Sequence, residues 1–285
     1  MQRPERSTQP IFENGLFLES PRWHDGRLWL SDVLAGTVLA LELGGAPEVV
    51  ARIEGLPSGL GFLPDGRAIV VSILRRQLLE VSPHGVSIYA DLRPMLRGSP
   101  NDMIVDGHGR AFVGDLGFDI LGEPASCSGR IVCVSIDRTA SIVAEDIDYP
   151  NGIAVSADGH SLFVAETEAG CISSFSIGAD GSLTGRARFG NLGAGSPDGI
   201  CLDASGAVWV SLFEDGAFVR IGRDGRLLDR VAAPGPRAVA CVLGGPKHDL
   251  LLCVSANTTA SDLRAGRSTS RIDAVVAPSP GAGVP

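Results

Sequence analysis

The chain of 285 residues contains one lysine, Lys247, and no cluster of basic side chains. With a formal net charge of −9 at pH 7, it lacks the electrostatic footprint of a nucleic-acid or anionic-membrane binder. No apolar run approaches the roughly 20 residues that span a bilayer. The opening "MQRPERSTQP" lacks the apolar core of a secretion signal, so a cytoplasmic location is expected. The six cysteines include no C-x-x-C pair. Most sit in apolar runs such as "IVCV" and "LLCVS" and read as small buried hydrophobes rather than metal or redox groups. H-E-x-x-H, G-x-S-x-G, P-loop and G-x-G-x-x-G patterns are all absent, which argues against serine-hydrolase, nucleotidase and dinucleotide chemistry. His24, His84, His108, His160 and His248 fall in or beside turns, against a His-rich zinc site. Capped helical periodicity is scarce.

What is present is repetition. Six segments share one grammar of a polar start, an apolar run, a glycine turn and a second apolar run. The starts are "ESPRW" at Glu19, "PSGLGF" at Pro57, "PNDMIV" at Pro100, "PNGIAV" at Pro150, "PDGICL" at Pro197 and "PRAVAC" at Pro236. Turns such as "HDGR", "PDGR" and "ADGH" follow, then runs such as "LWLSD", "AIVVS" and "LFVAE". Asp-Gly between two β-rich runs is a strong hairpin signal, because the turn needs positive φ. Hairpins at a period of roughly 35–50 residues match the blade length of β-propellers. The expected architecture is all-β: one six-bladed β-propeller over residues 1–285, with about four antiparallel strands per blade. "RIDAVVAP" (Arg271–Pro278) is expected as a late strand, with "QPIFENGLFLE" (Gln9–Glu19) closing the ring beside it. Asn257–Ser270 reads as a loop and residues 279–285 as a flexible tail.

In such a ring, equivalent strand starts converge on a central channel. Glu19, Ser58, Asn101, Asn151, Asp198 and Arg237 stand at or near those starts. Two carboxylates and two amides suit a divalent cation with oxygen ligands. Asn, Asp and Pro also shape turns, so the same residues admit a purely local reading. Glu19 favours the cation, since glutamate is a poor turn former. Asp102 reads as a turn cap, and Glu166 and Thr167 as strand-end residues that could line the pocket. Trp23, Trp29 and Trp209 read as core. The long segment Asp115–Gly129 reads as a lid.

"LESPRW", "PNDMIVDGHGRAFVGD", "YPNGIAVSADGHSLFVAET" and "SPDGICLDASGAVWVS" resemble the senescence-marker-protein/gluconolactonase/regucalcin family, over about residues 15–256. The resemblance implies a six-bladed propeller with one divalent cation in its channel and hydrolysis of lactones, mainly of sugar acids. It implies metal ligation by Glu19, Asn151 and Asp198 and substrate contact by Asn101. Ser99 stands where sugar-lactonase members carry an arginine, with Arg97 nearby but out of register, so the lactone need not be an aldonolactone. The family's acidic substrate contact falls near Asp119. The expectation is a gluconolactonase-like hydrolase of a small-molecule lactone, with Asp198 as general base and metal-activated water as nucleophile. The cation could be calcium, zinc, magnesium, manganese or ferrous iron, since oxygen ligands admit them all. Two alternatives stay open: a metal-dependent phosphotriesterase-like hydrolase, and a non-catalytic propeller that binds a cation or sugar acid.

Overall fold

The computed structural model describes residues 6–122, 128–192 and 195–283. It is a ring of six four-stranded antiparallel sheets. Blade I runs Leu18–His24, Arg27–Asp32, Thr37–Leu41 and Glu48–Arg52; blade II runs Pro57–Phe62, Ala68–Ser72, Gln77–Ser82 and Gly85–Asp91. Blade III holds Pro100–Val105, Ala111–Asp115, Gly129–Val134 and Ala140–Ile147, and blade IV Pro150–Val155, Ser161–Glu166, Cys171–Ile177 and Leu183–Asn191. Blade V holds Pro197–Leu202, Val208–Leu212, Ala217–Ile221 and Leu227–Ala232. Blade VI is built from both ends of the chain: Arg237–Gly244, Leu250–Asn257 and Thr269–Val276, with Gln9–Gly15 as its outer strand. Gln9 pairs with Ala274 and Phe12 with Ile272, closing the ring as expected.

The six expected hairpins are each the two inner strands of a blade. Their turns place glycine at positive φ, as at Gly66 (86°) and Gly159 (72°), which an L side chain rarely tolerates. Strands such as Ala68–Ser72 and Ala111–Asp115 are buried along their whole length because blades stack face to face. Every junction between neighbouring blades is sealed by its own apolar cluster. Ile69, Met103 and Val113 join blades II and III; Phe112, Ile153 and Phe175 join III and IV; Trp209, Phe218 and Leu251 join V and VI.

Two regions differ from the sequence reading. Asn257–Ser270 contains a one-turn helix, Ala260–Arg264, because Thr259 Oγ1 caps it by accepting the Asp262 amide at 3.1 Å. The chain near residue 280 is pinned rather than loose: Ala204 N donates to the Pro280 carbonyl at 2.8 Å and Gly281 N to the His248 carbonyl at 2.8 Å. Among the described residues, no helix is long and apolar enough to cross a membrane.

Candidate functional site

The first strand of each blade packs against the first strands of both neighbours, so these six strands line the channel. In blades II to V the strand start is irregular. Pairing skips between Pro57 and Leu60, Pro100 and Met103, Pro150 and Ile153, and Pro197 and Ile200. Such a bulge re-aims the side chain that it carries; here those side chains are Ser58, Asn101, Asn151 and Asp198. The glycine of "PNG" and "PDG" has a separate cause. A Cβ on Gly152 would lie 2.6 Å from Ile200 N, and one on Gly199 2.6 Å from Ala240 Cα. At these two positions the neighbouring inner strand comes too close to admit a side chain.

These starts bring four of the expected residues together. Asn101 Nδ2 donates to Asn151 Oδ1 at 2.9 Å, and Asn101 Oδ1 accepts the Ser58 hydroxyl at 3.0 Å. Asn151 Nδ2 reaches Thr167 Oγ1 at 3.4 Å, and that hydroxyl donates to the Pro197 carbonyl at 2.7 Å. Thr167 therefore supports the Asn151 amide from behind. Glu19 and Asp198 interact through their charges. Withdrawal from solvent, then Asp198, then Asp102 push the Glu19 carboxyl well above the ordinary carboxylate range, opposed by the Ser20 amide and by Arg22. Burial and then Asp102 push Asp198 up likewise, against a hydrogen bond with Asn151.

Asp102 is neither a turn cap nor a solvent-side residue. It is buried, and its carboxylate accepts the Ser20 hydroxyl at 3.0 Å, Arg22 Nη2 at 2.8 Å and the Ile153 amide at 3.3 Å. The sequence offers little to reveal this role, because both Asp102 partners in blade I lie some 80 residues away. Glu166 is buried too, but it faces the blade: it accepts the Asp148 amide at 2.8 Å and pairs with Arg186 at 2.7 Å. Arg237 is taken up by Glu214 and by the Phe213 ring.

Ser99 is buried, with its hydroxyl oxygen accepting the Ile120 amide at 3.1 Å. Asp119 is exposed and paired with Arg76. Arg97 turns away to Glu145 at 2.9 Å. The structure thus gathers Glu19, Asn101, Asn151 and Asp198 and leaves Asp119 on the surrounding loop. Part of the expected lid, residues 123–127, lies outside the described residues, as does Cys127. Trp23 and Trp209 are core, and Trp29 packs edge-on against Phe62.

The donors can be tested against a cation. Asp198 Oδ1 is buried and has no hydrogen-bond partner among the described residues. An ionised carboxylate oxygen in that state is costly unless a positive charge meets it. Glu19, Asp198 and Asp102 also repel one another. Among the described residues, no three His, Cys, Asp or Glu side chains converge on one point. The donors are therefore mixed, two carboxylates with an amide oxygen, and they fit a hard divalent cation.

A family model described as the SMP-30/Gluconolactonase/LRE-like region matches residues 17–257. The chain belongs to this family. Within the SMP-30/gluconolactonase group, it is 30% identical to a pentonolactonase of Haloferax volcanii over 55% of this chain and 53% of the relative, so the chain spans about half of that protein's length. It is 25% identical to a 6-deoxy-6-sulfogluconolactonase of Pseudomonas putida, covering 86% of each. A solved calcium-binding regucalcin of Agrobacterium tumefaciens superposes with a TM-score of 0.78 at 23% identity, covering 97% of each chain. That likeness establishes the shared fold.

Proposed function

We propose that the protein is a divalent-cation-dependent lactone hydrolase whose site is the Glu19, Asn101, Asn151 and Asp198 cluster. The reading is carried by the buried Asp198 Oδ1, which has no partner among the described residues and lies among mutually repelling acids. Family membership and the lactonase names of the relatives support the reaction class. Glu19, Asn151 and Asp198 would hold the cation, which would supply Lewis acidity to the lactone carbonyl and to the nucleophilic water.

The chain's own groups do the remaining work. Asp198 takes a proton from the water as it attacks the carbonyl carbon. Its burial and the nearby Asp102 favour holding that proton. As the tetrahedral oxyanion collapses, the bond from carbonyl carbon to ring oxygen breaks, and Asp198 returns the proton to the departing ring oxygen. The product is the open hydroxy acid. Asn101 uses its amide oxygen on Ser58 and one N–H on Asn151, so its second N–H is left to orient the substrate.

The test is pH-indicator hydrolysis of a lactone panel with chelated protein, repeated with calcium, zinc, magnesium, manganese or ferrous iron restored. Turnover that vanishes on chelation and returns with a cation is expected. Turnover indifferent to chelation, or no turnover of any lactone, overturns the reading.

A further inference from the structure

Tyr149 immediately precedes the strand that carries Asn151, and it is held in an unusual conformation. Its φ is +57°, a region that bulky residues rarely adopt, and the next residue is Pro150. The Thr167 amide holds its carbonyl at 3.1 Å. Its ring meets Phe118 edge-on, with centroids 5.1 Å apart and planes at 80°. Leu56 has the same positive φ before Pro57, so the conformation belongs to the repeat, and the ring contact is what sets Tyr149 apart.

Phe118 is fixed beside the start of the strand that carries Asn101. Ser99 N donates to the Phe118 carbonyl at 2.9 Å, and a Cβ on Gly98 would strike the Phe118 backbone. The two rings therefore straddle the starts of blades III and IV, next to the Asn101–Asn151 contact. Burial and then the charges of Asp198, Glu19 and Glu168 make the Tyr149 phenol a weaker acid than usual. No hydrogen bond of that hydroxyl is seen among the described residues. The neighbouring polar groups are engaged: Thr167 with Pro197, Arg97 with Glu145, Arg76 with Asp119 and Arg237 with Glu214. No guanidinium among these is free to grip a row of sugar hydroxyls.

We propose that Phe118 and Tyr149 form the substrate platform of the site, and that its lactone carries an apolar alkyl or aryl substituent rather than a full set of hydroxyls. This rests on reading the site as lactone-binding. The ring faces would pack against the substituent, while the free phenol marks the only uncommitted donor of the platform.

Calorimetric binding of two unreactive lactams to the full chain, with calcium in excess, tests the platform without requiring turnover. The probes are γ-phenyl-γ-butyrolactam and gluconolactam. The phenyl lactam should bind about tenfold tighter, an advantage that Phe118→Ala removes and that Tyr149→Phe preserves within about threefold, as aromatic packing predicts. Phe118→Leu retains bulk and should give an intermediate loss, guarding against misfolding of the alanine variant. Equal affinities, including no measurable binding of either probe, overturn the proposal, as does tighter binding of gluconolactam or indifference to Phe118→Ala. Binding of the phenyl lactam in a protein that hydrolyses no lactone would overturn the lactonase reading and leave the platform standing.

Discussion

The Ser20 hydroxyl donates to Asp102 Oδ1 at 3.0 Å, joining blade I to blade III across blade II, whose corresponding position is Gly59. The same carboxylate accepts from Arg22 of blade I and from the Ile153 amide of blade IV. One side chain thus ties together the strands that bear Glu19, Asn101 and Asn151.

Asp102→Ala should therefore act on stability before it acts on chemistry. It leaves the Arg22 guanidinium, with only 5% of that residue exposed, without its counter-charge. Breaking a buried pair in this way costs about 3–5 kcal/mol. The urea midpoint should fall with an unchanged slope, and Asp102→Asn should fall less because it retains acceptors for Ser20 and Arg22.

At the proposed reaction centre, the carboxylates should matter more than the amide. Asp198→Asn should lower kcat by about a thousandfold, the range for losing a general base. Asn101→Ala should lower it by about 10–100-fold, as for loss of an orienting partner. Glu19→Gln should weaken cation binding measured by calorimetry. Full activity of Asp198→Ala with cation present would end the assignment.

Stability of the chelated protein should fall as pH rises. Glu19 and Asp198 have folded-state pKa values raised above their unfolded ones, so the folded chain binds more protons between the two. That advantage is complete below about pH 4, the unfolded carboxylate range, and is lost as pH climbs through the raised values. A thermal-melting series should show the decline, and the Glu19→Gln, Asp198→Asn double variant should flatten it. Added cation should do the same, since it favours the ionised carboxylates.

Gly152→Ala tests the close contact between inner strands. The new methyl would sit 2.6 Å from Ile200 N, against backbone that cannot rotate aside. Overpacking of this kind costs about 1–3 kcal/mol. Because Gly152 adjoins Asn151 and the nearest obstacle is the Asp198 carbonyl, cation affinity should drop along with the melting temperature.

The blades were legible because their signals are local. Asp-Gly turns, apolar runs and the Pro-Asn or Pro-Asp starts each occupy a few adjacent residues, and the repeat multiplies them. Glu19, Asn101, Asn151 and Asp198 were legible for the same reason, as equivalent positions of a repeat around one axis. The Asp102 bonds to Ser20, Arg22 and Ile153 were not, since they depend on which blades face each other across the channel. The Gly152 contact also escaped: in sequence, a glycine after Asn reads as a turn, whereas here it clears space for the next blade's backbone. Tyr149 gave no signal at all, because its contacts with Phe118 and Thr167 exist only once the blades are assembled. Asp119, expected as a substrate contact, pairs with Arg76 on the surrounding loop.

The pairing of Gln9–Gly15 with Thr269–Val276 also dictates an order of events on the ribosome. Five blades consist of consecutive strands and can form as they emerge. The outer strand of the sixth is synthesised first and must wait, edge unpaired, until nearly the whole chain has followed. Joining ends that far apart carries the loop-closure cost that slows folding of non-local topologies. For that interval the nascent chain exposes an open strand edge, the feature most prone to pairing with a neighbouring chain.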